Sequence, residues 1–146
     1  MLNAGAADVV RYRHRRHAGR PNWAENFFKG HEEDSFSGRQ PNLACNIFYW
    51  VWDVETRYPD YFWLCGDNPQ MICSDSYYCH WTNNPQMWNI KWWNKEYVEN
   101  FDNFKRNDPW YDLESFMNWE PFSWNDRKYT VAQGEGLFKH IDRTKF

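Results

Sequence analysis

"NPQMWNIKWWNKEYVENFDNFKR", residues 84–106, is the stretch on which the fold reading turns. Asn84 is placed to cap a helix and Pro85 to occupy its first turn, where a missing N–H is no loss. Ile90, Trp93, Tyr97, Phe101 and Phe104 follow at helical intervals and make one apolar stripe. Lys95 and Glu99, four apart, suit a surface ion pair. Asn107–Asp108–Pro109 then ends the run, because the residue before a proline avoids helical backbone. The spacing predicts one long amphipathic helix over about 85–106, roughly 33 Å of rod, packed on its own domain.

Regular signals are weaker on either side. Residues 58–85 are rich in Pro, Gly, Asn, Asp and Cys and read as irregular structure. "LACNIFYWVWDVETR" (43–57) suits either a buried strand or a short helix, which periodicity does not separate. "PNWAENFFKG" (21–30) reads as a short helix, with Asn22 as cap, Glu25 at the capping-box position and Gly30 as its end. "HEEDSFSGRQPN" (31–42) reads as a polar linker. Downstream, Pro109 and Pro121 break any ladder, and Trp110, Tyr111, Phe116, Trp119, Phe122 and Trp124 recur without period. That pattern predicts an extended aromatic belt. The expected fold is mainly α with extensive irregular or extended coil, little sheet and no transmembrane helix. Residues 1–42 would form a basic arm, short helix and linker. Residues 43–146 would form an aromatic-rich single domain ending in the belt.

The composition is unusual for a chain of 146 residues. Leu, Ile and Val together number 15, against 31 Phe, Trp and Tyr. The net charge is only −3, so charge does not account for the shortage of aliphatic residues. Trp and Tyr supply a large apolar surface with a polar tip that needs a partner. This balance suits a chain that completes its burial against something else. The longest apolar stretch, residues 43–52, is about half the length of a membrane-spanning helix.

"VVRYRHRRHAGR" (9–20) holds Arg11, Arg13, Arg15, Arg16 and Arg20. It resembles a mitochondrial targeting segment, an anion-contacting arm or a solvated basic tail. Residues 41–90 are acidic, which argues against a nucleic-acid platform. Cys45, Cys65, Cys73 and Cys79 form two disulfides in an oxidising compartment, by any of three pairings, or stay as thiols in a reducing one. The chain has no G-x-G-x-x-G, P-loop, H-E-x-x-H, C-x-x-C or nucleophile elbow. No catalytic residue, cofactor or metal is expected.

Three blocks carry a family resemblance. "YPDYFWLCGDNP" supplies Tyr58, Pro59, Asp60, Gly66, Asp67 and Pro69. "DPWY" supplies Asp108, Pro109, Trp110 and Tyr111. "NWEPFSWNDRKY" supplies Asn118, Trp119, Glu120, Pro121, Trp124 and Tyr129. In order and mostly in spacing, these blocks resemble the ASHI-type accessory subunits of mitochondrial respiratory complex I, the NADH:ubiquinone oxidoreductase. The family's Gly between the Trp and Glu of the last block is absent here. The gap over 70–107 is also longer than in the family, and the family's transmembrane helix after the last block is not found. The resemblance implies a non-catalytic structural or assembly subunit of the membrane arm. It would sit peripherally at the inner membrane on the matrix side, with the sixteen matched residues contacting other subunits of the complex. It binds no nucleic acid and associates with the membrane through its partners.

Two other classes compete with this reading. A secreted, disulfide-stapled module would use exposed Trp and Tyr to stack on sugar rings. A zinc-dependent enzyme would use Cys65, Cys73, Cys79 and His80, although their spacing lacks the short C-x₂₋₄-C knuckle of structural zinc sites.

Overall fold

A computed structural model describes residues 2, 5–13, 23–38, 40–82, 86–99, 113–118 and 122–138. Inside the basic N-terminal segment, Val9–Arg13 form strand β1, with neighbours on both sides. Trp63–Cys65 form β2, Asn68–Asp75 form β3, Gln86–Trp88 form β4 and Thr130–Phe138 form β5. They make one sheet in the order β2-β3-β5-β1-β4. β1 and β5 run parallel, with Val9 opposite Val131, and the other pairs are antiparallel.

This corrects the mainly α expectation: the fold is mixed α/β around a five-stranded sheet. The pairings are non-local, and a local period does not reveal them. Asp8 joins the two ends of the chain, accepting from Thr130 N–H (2.9 Å) through its carboxylate and donating its own N–H to Thr130 O (2.9 Å).

The expected helix at 85–106 also changes. Gln86–Trp88 are extended, with Met87 opposite Val10, so the helix does not start at Pro85. Asn89 is the cap instead, its side chain accepting from Lys91 N–H at 3.0 Å. α4 runs over Ile90–Trp93 and continues as a π turn over Asn94–Val98. A π turn widens the repeat toward five residues, which moves the apolar face off the 3.6 stripe. Ile90, first in the predicted stripe, is 66% exposed. Trp88 and Trp92 pack on the core in its place, together with Tyr97 from the predicted stripe. Residues 100–106 lie outside the described residues.

Several short helices cover one face of the sheet. α1 (Trp23–Phe28) falls within the helix expected at 21–30, and Gly30 follows it at φ +91°. α2 (Asp34–Ser37) interrupts the expected linker, because Phe36 is buried and stacks on Tyr61 with ring centroids 3.9 Å apart. Residues Pro41–Tyr49 are a 3₁₀ helix with six consecutive buried residues, Leu43 to Phe48. α3 (Val54–Arg57) follows, so the undecided stretch 43–57 is helical. α5 spans Leu113–Asn118 and buries Phe116 and Met117. A 3₁₀ turn over Trp124–Arg127 buries Trp124. The described part of the expected belt is therefore folded inward, while residues 101–112 and 119–121 lie outside the described residues.

Alternation along the strands separates two cores. Val9, Ile72 and Val131 join the large core with Phe48, Phe62, Phe116, Phe122 and Trp124. Val10, Cys73 and Ala132 face the other way, into a small cluster with Ala7 and Cys65. Val131 to Gln133 are buried on both faces, as suits a strand with neighbours on each side. Among the described residues, many of the aromatic side chains make ring contacts in the large core. Trp92 stacks on Trp88 (4.6 Å) and meets Trp124 (5.9 Å) and Tyr129 (4.9 Å) edge to face. Such geometries suit the aromatic quadrupole.

Candidate binding cleft beside a disulfide-bridged hairpin

β2 and β3 form a tight hairpin in the stretch expected to be irregular. Gly66, at φ +56°, supplies the left-handed turn that lets the chain reverse. A Cys65–Cys73 disulfide, with Cα atoms 5.2 Å apart, ties the hairpin across its two strands. Of the three possible cysteine pairings, the structure contains this bridge and leaves Cys45 and Cys79 as buried thiols.

The β3 arm of the hairpin borders a cleft of about 480 Å³ lined by Trp52, Glu55, Pro69, Gln70, Met71, Ile72 and Glu135. This volume lies in the range of small-molecule sites. Three elements position the lining. Trp52 and Glu55 are three apart, on the turn into α3 and on α3 itself, so they share a side. Gln70 to Ile72 come from β3. Glu135 comes from β5, where the register Met71↔Gly134 brings it next to Gln70. Gly134 permits this crossing, since a Cβ there would collide with the sulfur of Met71.

The chemistry of the cleft is mixed. Trp52 is 51% exposed and offers a broad indole at the opening. Glu55 and Glu135 supply carboxylate acceptors, and Gln70 supplies both a donor pair and an acceptor. One oxygen of Glu55, Oε2, is shut off from solvent and accepts no hydrogen bond from the described residues. The site thus combines a flat apolar plate with hydrogen-bonding groups of net negative charge.

The residues singled out by family resemblance divide between surface and interior. Pro59, Asp60, Gly66, Asp67 and Pro69 are exposed around the α3–β2 turn and the hairpin, and Pro69 also lines the cleft. Tyr58 is half-buried, with its ring 5.1 Å from Phe36. Asn118, Trp124 and Tyr129 are engaged within the chain. Asn118 bonds the backbone of Trp81, and the Trp124 indole N–H donates to Cys79 O at 2.6 Å. Tyr129 packs on Trp92 and Trp124. Asp108, Pro109, Trp110, Tyr111, Trp119, Glu120 and Pro121 lie outside the described residues. Of the four zinc-ligand candidates, Cys65 and Cys73 are bonded to each other and hold no thiolate. Among the described residues, no three His, Cys, Asp or Glu side chains converge as a metal set.

Trp52, Glu55, Gln70 and Glu135 were not among the residues the sequence singled out. The Trp-x-x-Glu spacing at 52–55 was one signal. The Gly134–Glu135–Gly136 triplet was another, since glycines within a strand mark close approach. Comparison of the chain with known protein families, characterised proteins and solved structures finds no match. Among the described residues, no helix is long and apolar enough to cross a membrane.

Proposed function

We propose that this chain is a non-catalytic carbohydrate-binding module of an oxidising compartment. The observation that carries this reading is the half-exposed Trp52 at the mouth of a cleft edged by Glu55, Gln70 and Glu135. The C–H face of a pyranose suits the indole plate, and its ring hydroxyls suit the carboxylate and carboxamide groups. The exposed Glu135 carboxylate at the cleft is an acceptor to which a sugar hydroxyl can donate. Two carboxylates disfavour an anionic sugar, so the ligand class is a neutral glycan. The Cys65–Cys73 bridge supports the compartment, because disulfides persist where the environment is oxidising.

Pull-down on insoluble cellulose and chitin tests the reading. Retention of the native protein and its loss in Trp52→Ala are the expected results. Failure of both polysaccharides to retain the native protein, or equal retention of the variant, contradicts it. Release of reducing ends from the bound polysaccharide would make Glu55 and Glu135 catalytic and overturn the non-catalytic part.

A second reading is favoured by the exposure of Pro59, Asp60, Gly66, Asp67 and Pro69 around one hairpin. In it the chain is an accessory subunit of mitochondrial complex I, and these residues meet neighbouring subunits. A matrix-side location fits poorly with the Cys65–Cys73 bridge, since reducing compartments keep thiols free. Blue-native electrophoresis beside an in-gel NADH dehydrogenase stain separates the two readings. Co-migration with the active band selects the subunit.

A further inference from the structure

Arg11 is a guanidinium inside the protein, 4% exposed, on a strand with neighbours on both sides. It donates to Cys45 Sγ at 3.4 Å and to the carbonyl of His80, and its Nε has no partner among the described residues. Among the described residues, no carboxylate forms an ion pair with it. A guanidinium keeps its proton at any ordinary pH, and an unpaired buried charge is strongly unfavourable. Its neighbours at hydrogen-bonding distance are a neutral carbonyl and a thiol, and the thiol alone can become an anion.

Cys79 completes the cluster. It lies between Tyr78 and His80, whose backbones bond to Cys45 and Asn42, and both cysteine side chains are fully buried. Burial pushes the Cys45 thiol up, but the hydrogen bond from Cys79 and the Arg11 guanidinium outweigh it and leave Cys45 below its ordinary value. Burial pushes Cys79 well up, and the neighbouring Cys45 adds to that rise. The backbone holds the two in place: Cys45 N–H donates to Tyr78 O (2.9 Å), and His80 N–H donates to Asn42 O (2.6 Å).

We propose that Cys45 and Cys79 are a redox-active dithiol that closes to a second intramolecular disulfide, and that Arg11 is the residue holding the pair open. The reduced cluster is a pair of buried thiols beside a cation, and Cys45, which Arg11 touches, is the one that ionises more readily. With glutathione disulfide as oxidant, Cys45 loses its proton, attacks one sulfur and expels a glutathione thiolate. Cys79 then loses its proton and attacks the Cys45 sulfur. The Cys45–Cys79 bond forms and a second glutathione thiolate leaves. Two electrons pass to glutathione, and two protons are released. Oxidation removes the one hydrogen-bonded neighbour of Arg11 that can ionise to balance it, while leaving the cation buried. Arg11 therefore weights the equilibrium toward the dithiol, as any group that stabilises the reduced form does. Because both sulfurs are buried, exchange proceeds through opening of the contact between residues 42–45 and 78–80.

The test equilibrates the full chain in a series of reduced and oxidised glutathione mixtures. Free thiols are then alkylated under denaturing conditions, and the bridges are mapped by mass spectrometry. The expected result is a Cys45–Cys79 disulfide appearing in one two-electron step. Arg11→Met should shift that step toward the disulfide by at least about tenfold in equilibrium constant, about 30 mV. Mixed glutathione adducts without the Cys45–Cys79 bond, or an unmoved equilibrium in Arg11→Met, overturn the proposal. If Arg11→Met does not fold, a pH titration of the ultraviolet thiolate absorbance of the reduced native protein decides. A first titration step that disappears in Cys45→Ser supports the pair, and an unchanged titration overturns it.

Discussion

Asn118 pairs with the backbone of Trp81 as a neighbouring strand would. Its Oδ1 accepts from Trp81 N–H at 2.7 Å, and its Nδ2 donates to Trp81 O at 2.9 Å. The same Nδ2 reaches back to Glu114 O at 2.9 Å, so α5 and the segment after Cys79 are tied through one carboxamide. Trp81 is buried, and both its backbone groups need partners. Asn118→Ala leaves them unsatisfied and is expected to cost about 2–3 kcal/mol of stability. Asn118→Asp replaces the donor with a carboxylate facing two carbonyls and should cost at least as much. Urea denaturation of the three proteins measures this. A change within about 0.5 kcal/mol for both variants contradicts the role.

Trp124 is fully buried, whereas Trp63 on β2 is 41% exposed. The cost of truncating a tryptophan depends on what surrounds it. Trp124→Ala removes a ring at the centre of the aromatic core and its bond to Cys79 O, an expected loss of about 3–5 kcal/mol. Trp63→Ala is expected to change stability by about 0.5 kcal/mol or less. Equal destabilisation would mean that the aromatic excess is not absorbed by this core.

Tyr129 gives the fold a limit at high pH. Burial pushes its phenol far above the ordinary tyrosine value, and its hydrogen bond to Glu96 adds to the shift. A raised value in the folded state means that the contribution is fully present below the unfolded value of about 10 and is lost as pH rises above it. Thermal melts from neutral to strongly alkaline pH should show stability falling from about pH 10 upward. Tyr129→Phe should flatten that fall, because phenylalanine has no proton to lose. An identical alkaline slope in the variant refutes the assignment.

The Cys65–Cys73 bridge closes a short loop, with a sequence separation of 8. Chain-entropy reasoning gives such a loop about 2.5 kcal/mol. The double substitution Cys65→Ser with Cys73→Ser is expected to lose about that much in chemical denaturation. No loss would show that the hairpin is held by its ladder and the small cluster around Val10 and Ala132.

Some of this molecule was legible in the sequence. The end of the α1 helix was announced by Gly30, because a left-handed glycine stop is local chemistry, whereas Glu25 bonds Lys29. β1 was hidden because Arg11 and Arg13 give it the composition of a solvated arm. The partners that make Arg11 acceptable inside, Cys45 and His80, lie far along the chain. β5 was hidden by two glycines and a buried Gln133, which look like coil until β1 and β3 flank them. The helix stripe misled because Met87 pairs with Val10 and a π turn follows, both outside a 3.6-residue period. Two of the cleft's lining residues, Trp52 and Glu55, share one local spacing. Glu135 arrives only through the register of β3 and β5.

The most direct test of the cleft is isothermal titration of the native protein with neutral cello- and chito-oligosaccharides, run beside Trp52→Ala and Trp63→Ala. Saturable binding that is lost in Trp52→Ala and kept in Trp63→Ala is the predicted result. Binding that survives Trp52→Ala, or binding of a lysine-rich peptide with no binding of either sugar, would contradict the assignment of this site to a glycan.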